Sequence, residues 1–555
     1  MRAADHLVEC LATQGADRLF CVPGESYLAL LDALRDSDDI QTVVCRHEGG
    51  AGLMAVADAK LTGRAGLAAV SRGPGATNVS IAVHLAQQDA VPLVVLIGQV
   101  ARFERGRGAF QEVDYTQMFG AIAKGVWEVS DPAQLAETVA RAFHVASSGT
   151  PGPVILSLPE DMLSDELDAA PLAPQPAPSD GPAPEDLDRV IQLLRRAERP
   201  LIIAGGGLAS EQGRRALADL ARAHGIPVAL TFKHQEIFDN ASPLYAGHLG
   251  FKIPKPHVDL LSQADLVLAI GTRLGDVPTQ GYSFPRAPQP DQPLVHVWPD
   301  AEVPGRIFRT DVALTCAPGR FCAALAGTGN NDAPDRDGWR ASIADYMAEV
   351  ADFRPRQMPD GLDFGVVAQE LARTAPRDTI VVTDSGNFSS WVHRVWPWTG
   401  DQLAVGSVGG AMGLGVPGAV AACLRHPERC VICFVGDGGV MMTGNELATA
   451  VAQGAKPRIV ISDNGTYGTI RLHQERDHPG RVAGTDLVNP DFADWGRSFG
   501  AAGFRVADGD DINATIAAFL AHDGPAVLHV RASAQAISAF ATIDQINASS
   551  KAAKS

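Results

Sequence analysis

An acid and an amide in the last third of the chain, Asp437 and Asn464, have the types and spacing of a metal-bridged phosphate site. An apolar run, CVICFV, leads into Gly436-Asp437-Gly438-Gly439, a helix-length stretch around NELATAVAQG follows, and a second run, PRIVIS, ends at Asp463-Asn464-Gly465. Strand, helix and strand in this order give two parallel strands, and both side chains then emerge at carboxyl ends, where open α/β sheets take their ligands. Carboxylate and carboxamide oxygens are hard donors, and magnesium takes few of them, filling its octahedron with phosphate oxygens and water. Glycines around Asp437 clear the path of a phosphate toward backbone N–H groups. Turn residues alone could explain Gly-Asp-Gly. The second ligand, across a helix and a strand, favours a magnesium-bound diphosphate.

Three segments of similar texture must position such a site. The first contains TVVC, GLAAVS and PLVVLIG, the second PLIIAGG, ADLVLAIG and LVHVW, and the third TIVVTD, CVICFVGD and PRIVISDN. Continuous apolar runs separated by helix-length stretches predict parallel strands covered on both faces. The fold class is therefore α/β, with three doubly wound parallel-sheet domains at 1–166, 186–327 and 361–540. Proline-dense LDAAPLAPQPAPSDGPAPE marks 167–185 as a linker, and GTGNNDAPDRDG with RPRQMPDG marks 328–360 as another.

Composition limits the function. A chain of 555 residues with 46% apolar and 20% charged residues is a multidomain globular protein. Its net charge of -18, without a basic patch, argues against nucleic acid or an anionic membrane surface as partner. Asp5 and Glu9 interrupt what would have to be the apolar core of a signal peptide, so a cytoplasmic location is expected. The eight scattered cysteines predict reduced thiols, and Cys430 and Cys433, inside an apolar run, read as strand cysteines rather than a redox pair.

GDGGVMMTGNELATAVAQGAKPRIVISDN resembles the signature of the thiamine diphosphate family that contains acetolactate synthase and pyruvate oxidase, with Asp463 in place of the first of two asparagines. Val22-Pro23-Gly24, Arg46-His47-Glu48, Gly73-Pro74-Gly75-Ala76-Thr77-Asn78, Asp89 to Pro92, Ala109-Phe110-Gln111-Glu112 and Gly410-Ala411-Met412-Gly413 match the family in order and spacing. The resemblance implies a thiamine diphosphate-binding fold in which Asp437, Asn464 and the backbone carbonyl of Thr466 hold Mg2+. Glu48 would hold the pyrimidine ring, and Met412 would wedge between the cofactor's two rings near the Gly410 carbonyl. Pro23, Gly24, Asn78, Gly386, Asn387, Phe388, Ser389, Gly438, Gly439 and Gly468 would line the cofactor. Phe110, Gln111, Lys124 and Ile470 would border the substrate, with Gln111 and His473 as further catalytic candidates. It further implies a homodimer sharing active sites between subunits, with a tetramer common among relatives.

Departures from the pattern narrow the reaction. In Gly271-Thr272-Arg273-Leu274-Gly275-Asp276-Val277, Val277 stands where acetolactate synthases carry the arginine for a second 2-keto acid. His473 replaces a tryptophan of the acceptor pocket, and His84 lies where relatives are apolar. Gly205-Gly206-Gly207 alone is weak support for FAD, which is not favoured. The reaction expected is cleavage or formation of a C–C bond beside a carbonyl on a small carbonyl substrate, by a 2-keto acid decarboxylase or carboligase. A 1,2-diketone or acyloin hydrolase or lyase is the alternative among enzymes, and a catalytically silent regulatory paralogue is the alternative outside them.

Overall fold

The computed structural model describes residues 1–176, 178–251, 253–329 and 334–554. Three six-stranded sheets account for the three strand-rich segments. The N-terminal sheet contains Arg18–Cys21, Gln41–Val44, Gly66–Val70, Leu93–Gln99, Gly125–Glu128 and Pro153–Pro159. Counted in chain order, these lie 2-1-3-4-6-5. The C-terminal sheet, Ile380–Thr383, Leu403–Gly406, Val431–Gly436, Arg458–Asp463, Ala502–Val506 and Ala526–Arg531, repeats that order. Its central counterpart, running from Pro200–Ala204 to Val312–Thr315, reads 3-2-1-4-5-6. Every residue of Leu93–Gln99 and of Arg458–Asp463 is buried, as strands between two helical layers must be.

By internal contact the three sheets group into two compact units. Residues 1–177, 355–392 and 405–555 make one, and 178–354 with 393–404 make the other. Within the first unit, helix Glu48–Thr62 is buried continuously from Gly49 to Ala59 and packs against helix Gly415–Arg425. A helix without a polar stripe has to be covered on all sides, and its run of small residues permits close approach. A Cβ at Gly52 would fall 2.5 Å from that of Ala82, so glycine sets the spacing to helix Pro74–Asp89. Arg425 reaches across to Asp17 at 2.9 Å and Asp58 at 2.8 Å.

The 328–360 stretch is not wholly a linker. Helix Asp337–Ala351 runs through it and belongs to the second unit, with Trp339 Nε1 donating to the Pro200 carbonyl at 2.9 Å. Trp339, Ile343 and Met347 repeat every fourth position, a helical period that the preceding run of Gly, Asn and Asp obscured. Residues 330–333 of that run lie outside the described residues. The proline-rich linker carries no helix or strand among its described residues before Pro184. Helix Ile543–Lys554 extends the C-terminal region beyond 540, and Ser550 Oγ donates to the Arg476 carbonyl at 2.8 Å. All eight cysteines are free; Cys430 immediately precedes its strand and Cys433 is buried in it. Among the described residues, no helix is long and apolar enough to cross a membrane.

Candidate active site

Strands Val431–Gly436 and Arg458–Asp463 are parallel neighbours, with Gly436 opposite Ser462. That register puts Asp437 beside Asp463 and brings Asn464 to the same strand end. Asp437 is 3% exposed and Asp463 2% exposed, so both carboxylates need donors. Gly438 N donates to Asp437 Oδ1 at 2.9 Å. The Asn489 amide donates to Asp437 Oδ2 and to Asp463 Oδ1, each at 2.8 Å. Asp463 Oδ2 receives His529 Nε2 and Arg531, also at 2.8 Å. Burial, then the neighbouring Asp463 charge, pushes the Asp437 carboxyl up. Burial acts on Asp463 in the same sense, but the hydrogen bonds from His529 and Asn489 outweigh it and hold that carboxyl low. Asn464 Oδ1 accepts from Thr466 N at 3.2 Å.

The loops that precede this strand end are tied to it by a third buried acid. Asp384, at the end of strand Ile380–Thr383, accepts from Gly413 N at 3.0 Å and Ser385 N at 2.7 Å. Ser385 Oγ donates to the Ala411 carbonyl at 3.0 Å, so Met412 is held on both sides. Asp89 fixes the same loop from the N-terminal region, accepting from Gly409 N at 2.9 Å while paired with Lys60 at 2.6 Å. Gly386, Asn387, Phe388 and Ser389 follow Ser385 directly. Asn387 Oδ1 accepts from Thr469 Oγ1 at 3.0 Å, beside Gly468, whereas its amide nitrogen is buried without a partner.

These groups fit a magnesium-bound diphosphate. Among the described residues, no set of three or more His, Cys, Asp or Glu side chains could cage a metal. One carboxylate, one carboxamide and a backbone carbonyl at a strand end is instead the sparse oxygen set that magnesium completes with phosphate and water. The orphaned Asn387 N–H is a donor that a phosphate oxygen would satisfy.

Glu48 opens helix Glu48–Thr62, whose cap is the His47 ring accepting from Gly49 N at 3.0 Å. The turn before it rests on Glu446, a fully buried acid that accepts from Arg46 N at 3.1 Å and His47 N at 3.0 Å. Burial raises the Glu446 carboxyl. Asn78 Nδ2 donates to Glu48 Oε2 at 2.9 Å, which leaves Oε1 beside Gly75. Gln111 has a left-handed φ of 65° and packs on Gly73, where a Cβ would fall 2.9 Å from its own. Gly24 packs just as closely on Ser71, so Pro23-Gly24, Gly73, Asn78, Gln111 and Glu48 form one N-terminal patch.

The substrate candidates are less constrained. Phe110 is 73% exposed and Ile470 52% exposed. Exposed His473 lies one turn beyond Ile470 on helix Gly468–Asp477. His84 is exposed on helix Pro74–Asp89, one turn from Ile81. Lys124 has a structural occupation: its Nζ donates to the Val145 and Ser148 carbonyls, both at 2.5 Å, at the end of helix Leu135–Ser147. Val277 lies in a turn whose carbonyl accepts from Gln280. Gly205 and Gly207 spend their N–H groups on the Ile270 and Gly271 carbonyls, which accounts for two of the three glycines by strand-loop packing.

Asn489, Asp384 and Glu446 escaped the motif reading. Asp384 carried a signal, since TIVVTD ends in an acid just as the later strands do. Asn489 and Glu446 had none, because their partners are distant in sequence.

Comparison with known proteins agrees with this geometry. Residues 1–118, 187–325 and 384–530 match the N-terminal TPP binding, central, and C-terminal TPP binding domains of thiamine pyrophosphate enzymes. The acetolactate synthase large subunit of Parasynechococcus marenigrum (strain WH8102) is 32% identical over 547 residues, covering 95% of this chain and 87% of the relative. Acetolactate synthase isozyme 2 large subunit of Escherichia coli (strain K12) is 30% identical over 532 residues, 96% and 95% of the two chains. The mitochondrial acetolactate synthase catalytic subunit of Saccharomyces cerevisiae is 28% identical, over 94% of this chain and 79% of the relative. With three domains matched in order around a strand-end acid and amide, the chain belongs to the thiamine pyrophosphate enzymes and is acetolactate synthase-like.

Proposed function

We propose that the chain uses thiamine diphosphate, anchored through Mg2+, to decarboxylate a 2-keto acid such as pyruvate and to pass the remaining carbonyl unit to a second small molecule. The observation that carries this reading is buried Asp437 beside Asn464 at neighbouring parallel strand ends, with the Asn387 donor unmatched nearby in the chain's loops. Asp437, Asn464 and the Thr466 carbonyl would hold the metal, and Asn387 with Gly438 and Gly439 the diphosphate. When bound, the cofactor supplies a ring that accepts the electron pair released as the carboxylate leaves. Glu48 Oε1, left open by the Asn78 bond to Oε2, holds a proton at the pyrimidine N1′. Met412, secured through Asp384 and Ser385, would pack against the cofactor and help to orient it.

Exposed Leu28, Ile81, Met441 and Met442 support a homodimer in which a second copy covers these apolar side chains. Val277 in place of arginine removes a bidentate grip on an acceptor carboxylate, which favours an uncharged acceptor over a second 2-keto acid. It also favours a second reading, cleavage of an uncharged 1,2-diketone or acyloin.

Product analysis separates the readings. With pyruvate alone and then with an added aldehyde, the expected result is carbon dioxide release that requires thiamine diphosphate and Mg2+, and a ligated product only with the aldehyde. Release from neither pyruvate nor any other 2-keto acid, together with cleavage of a diketone, would overturn the decarboxylase reading.

A further inference from the structure

Two buried carboxylates side by side repel each other unless donors stand between them, and the donor here comes from a third segment of the chain. An asparagine at 463 could donate to Asp437 by itself. An aspartate cannot, since an ionised carboxylate only accepts. Asn489 fills that role, because its single amide nitrogen has two hydrogens and donates one to Asp437 Oδ2 and the other to Asp463 Oδ1, both at 2.8 Å. The other donors to Asp463 are Gly465 N, which also reaches Oδ1 at 3.2 Å, and His529 and Arg531, which reach Oδ2 at 2.8 Å. Phe492 N donates to His529 Nδ1 at 3.3 Å, which leaves Nε2 as the nitrogen that donates to Asp463. The His529 ring is therefore oriented by bonds at both nitrogens, and with Arg531 it holds Asp463 Oδ2 in place.

We propose that Asn489 is a positioning residue for the metal ligand Asp437, its amide holding the two carboxylates together so that Asp437 keeps its orientation toward the cation. The inference rests on the magnesium and thiamine diphosphate reading above. It predicts that the importance of Asn489 depends on the charge at 463: without the amide the two carboxylates face each other unscreened, whereas an amide at 463 makes a third-party donor unnecessary.

The test is a set of four proteins, wild type, Asn489→Ala, Asp463→Asn and the double variant, each titrated with Mg2+ at fixed thiamine diphosphate. Quenching of tryptophan fluorescence and the cation-dependent rise in melting temperature report binding without any turnover. Asn489→Ala should weaken apparent Mg2+ affinity by about tenfold or more, the loss expected when a charged group is stripped of a buried donor. Adding Asp463→Asn should bring it back to within about threefold of wild type, as a coupled pair requires. If Asn489→Ala fails to fold, a folded double variant supports the proposal and failure of both overturns it. Unchanged affinity in Asn489→Ala, or an equal loss in the double variant, would likewise overturn it. A wild-type chain that shows no response to Mg2+ with thiamine diphosphate would instead overturn the underlying cofactor reading.

Discussion

At the carboxyl end of the C-terminal sheet, Asp437 and Asp463 lie buried with donors on both oxygens of each, whereas the central sheet's unit buries imidazoles and keeps them neutral. His257 and His296 each bond a single backbone carbonyl at 2.9 Å, and burial holds both below the ordinary histidine range. His248 is pushed down to about 3, by burial first and then by the Lys233 charge, and its ring stacks on His393 with centroids 4.7 Å apart. The acids of the first region are supplied with several donors each, whereas the imidazoles of the second are left neutral by burial, even beside the ammonium of Lys233. Buried acids at strand ends suit a place where something of opposite charge is to be held, and buried neutral rings suit packing.

The contrast can be broken most severely at Glu48. Glu48→Gln keeps the shape and the bond to Asn78 but removes the carboxylate, and turnover should fall by on the order of a hundredfold or more while cofactor binding persists. Steady-state kinetics beside a binding titration would show this; unchanged kcat would sink the assignment. Next in size is the charged bridge inside the first unit. Arg425→Ala leaves Asp58 largely buried with only Arg18 at 3.5 Å, and the cost should be about 2 to 3 kcal/mol in urea unfolding, discounted because Asp17 is exposed.

On the neutral side the effect appears as a slope of stability with pH. Because the folded pKa of His248 is about 3, below its ordinary 6.5, the unfolded chain binds the extra proton in that interval. Stability from this group is therefore complete above pH 6.5 and declines as pH falls toward 3, by at most about 1.4 kcal/mol per pH unit. His248→Leu should flatten part of that slope in melting curves recorded between pH 5 and 7. His393, also held down by burial, supplies a remainder of the same sign.

Much of this was legible in the chain. The doubly wound sheets followed from apolar runs such as PLVVLIG and PRIVIS, and the parallel pairing of the two runs around Asp437 followed from the helix between them. Hidden features share one physical cause, namely contact between segments far apart in sequence. Glu446 supports the turn before Glu48, and Asn489 bridges two acids on neighbouring strands; neither has a local pattern. Helix Asp337–Ala351 was obscured because its lead-in is rich in Gly, Asn and Asp. Lys124 donates to helix-end carbonyls more than twenty residues away, a contact with no local pattern either. The exposed trio Phe110, Ile470 and His473 carries few packing constraints, which is why residue type alone left the acceptor open.

Calorimetric titration of thiamine diphosphate into the full chain, with and without Mg2+, addresses the central claim most directly. Saturable binding that requires Mg2+ in the wild type and is lost in Asp437→Ala is the result predicted. Binding of equal strength without the cation, or undiminished in Asp437→Ala, would contradict a metal-anchored diphosphate at this strand end.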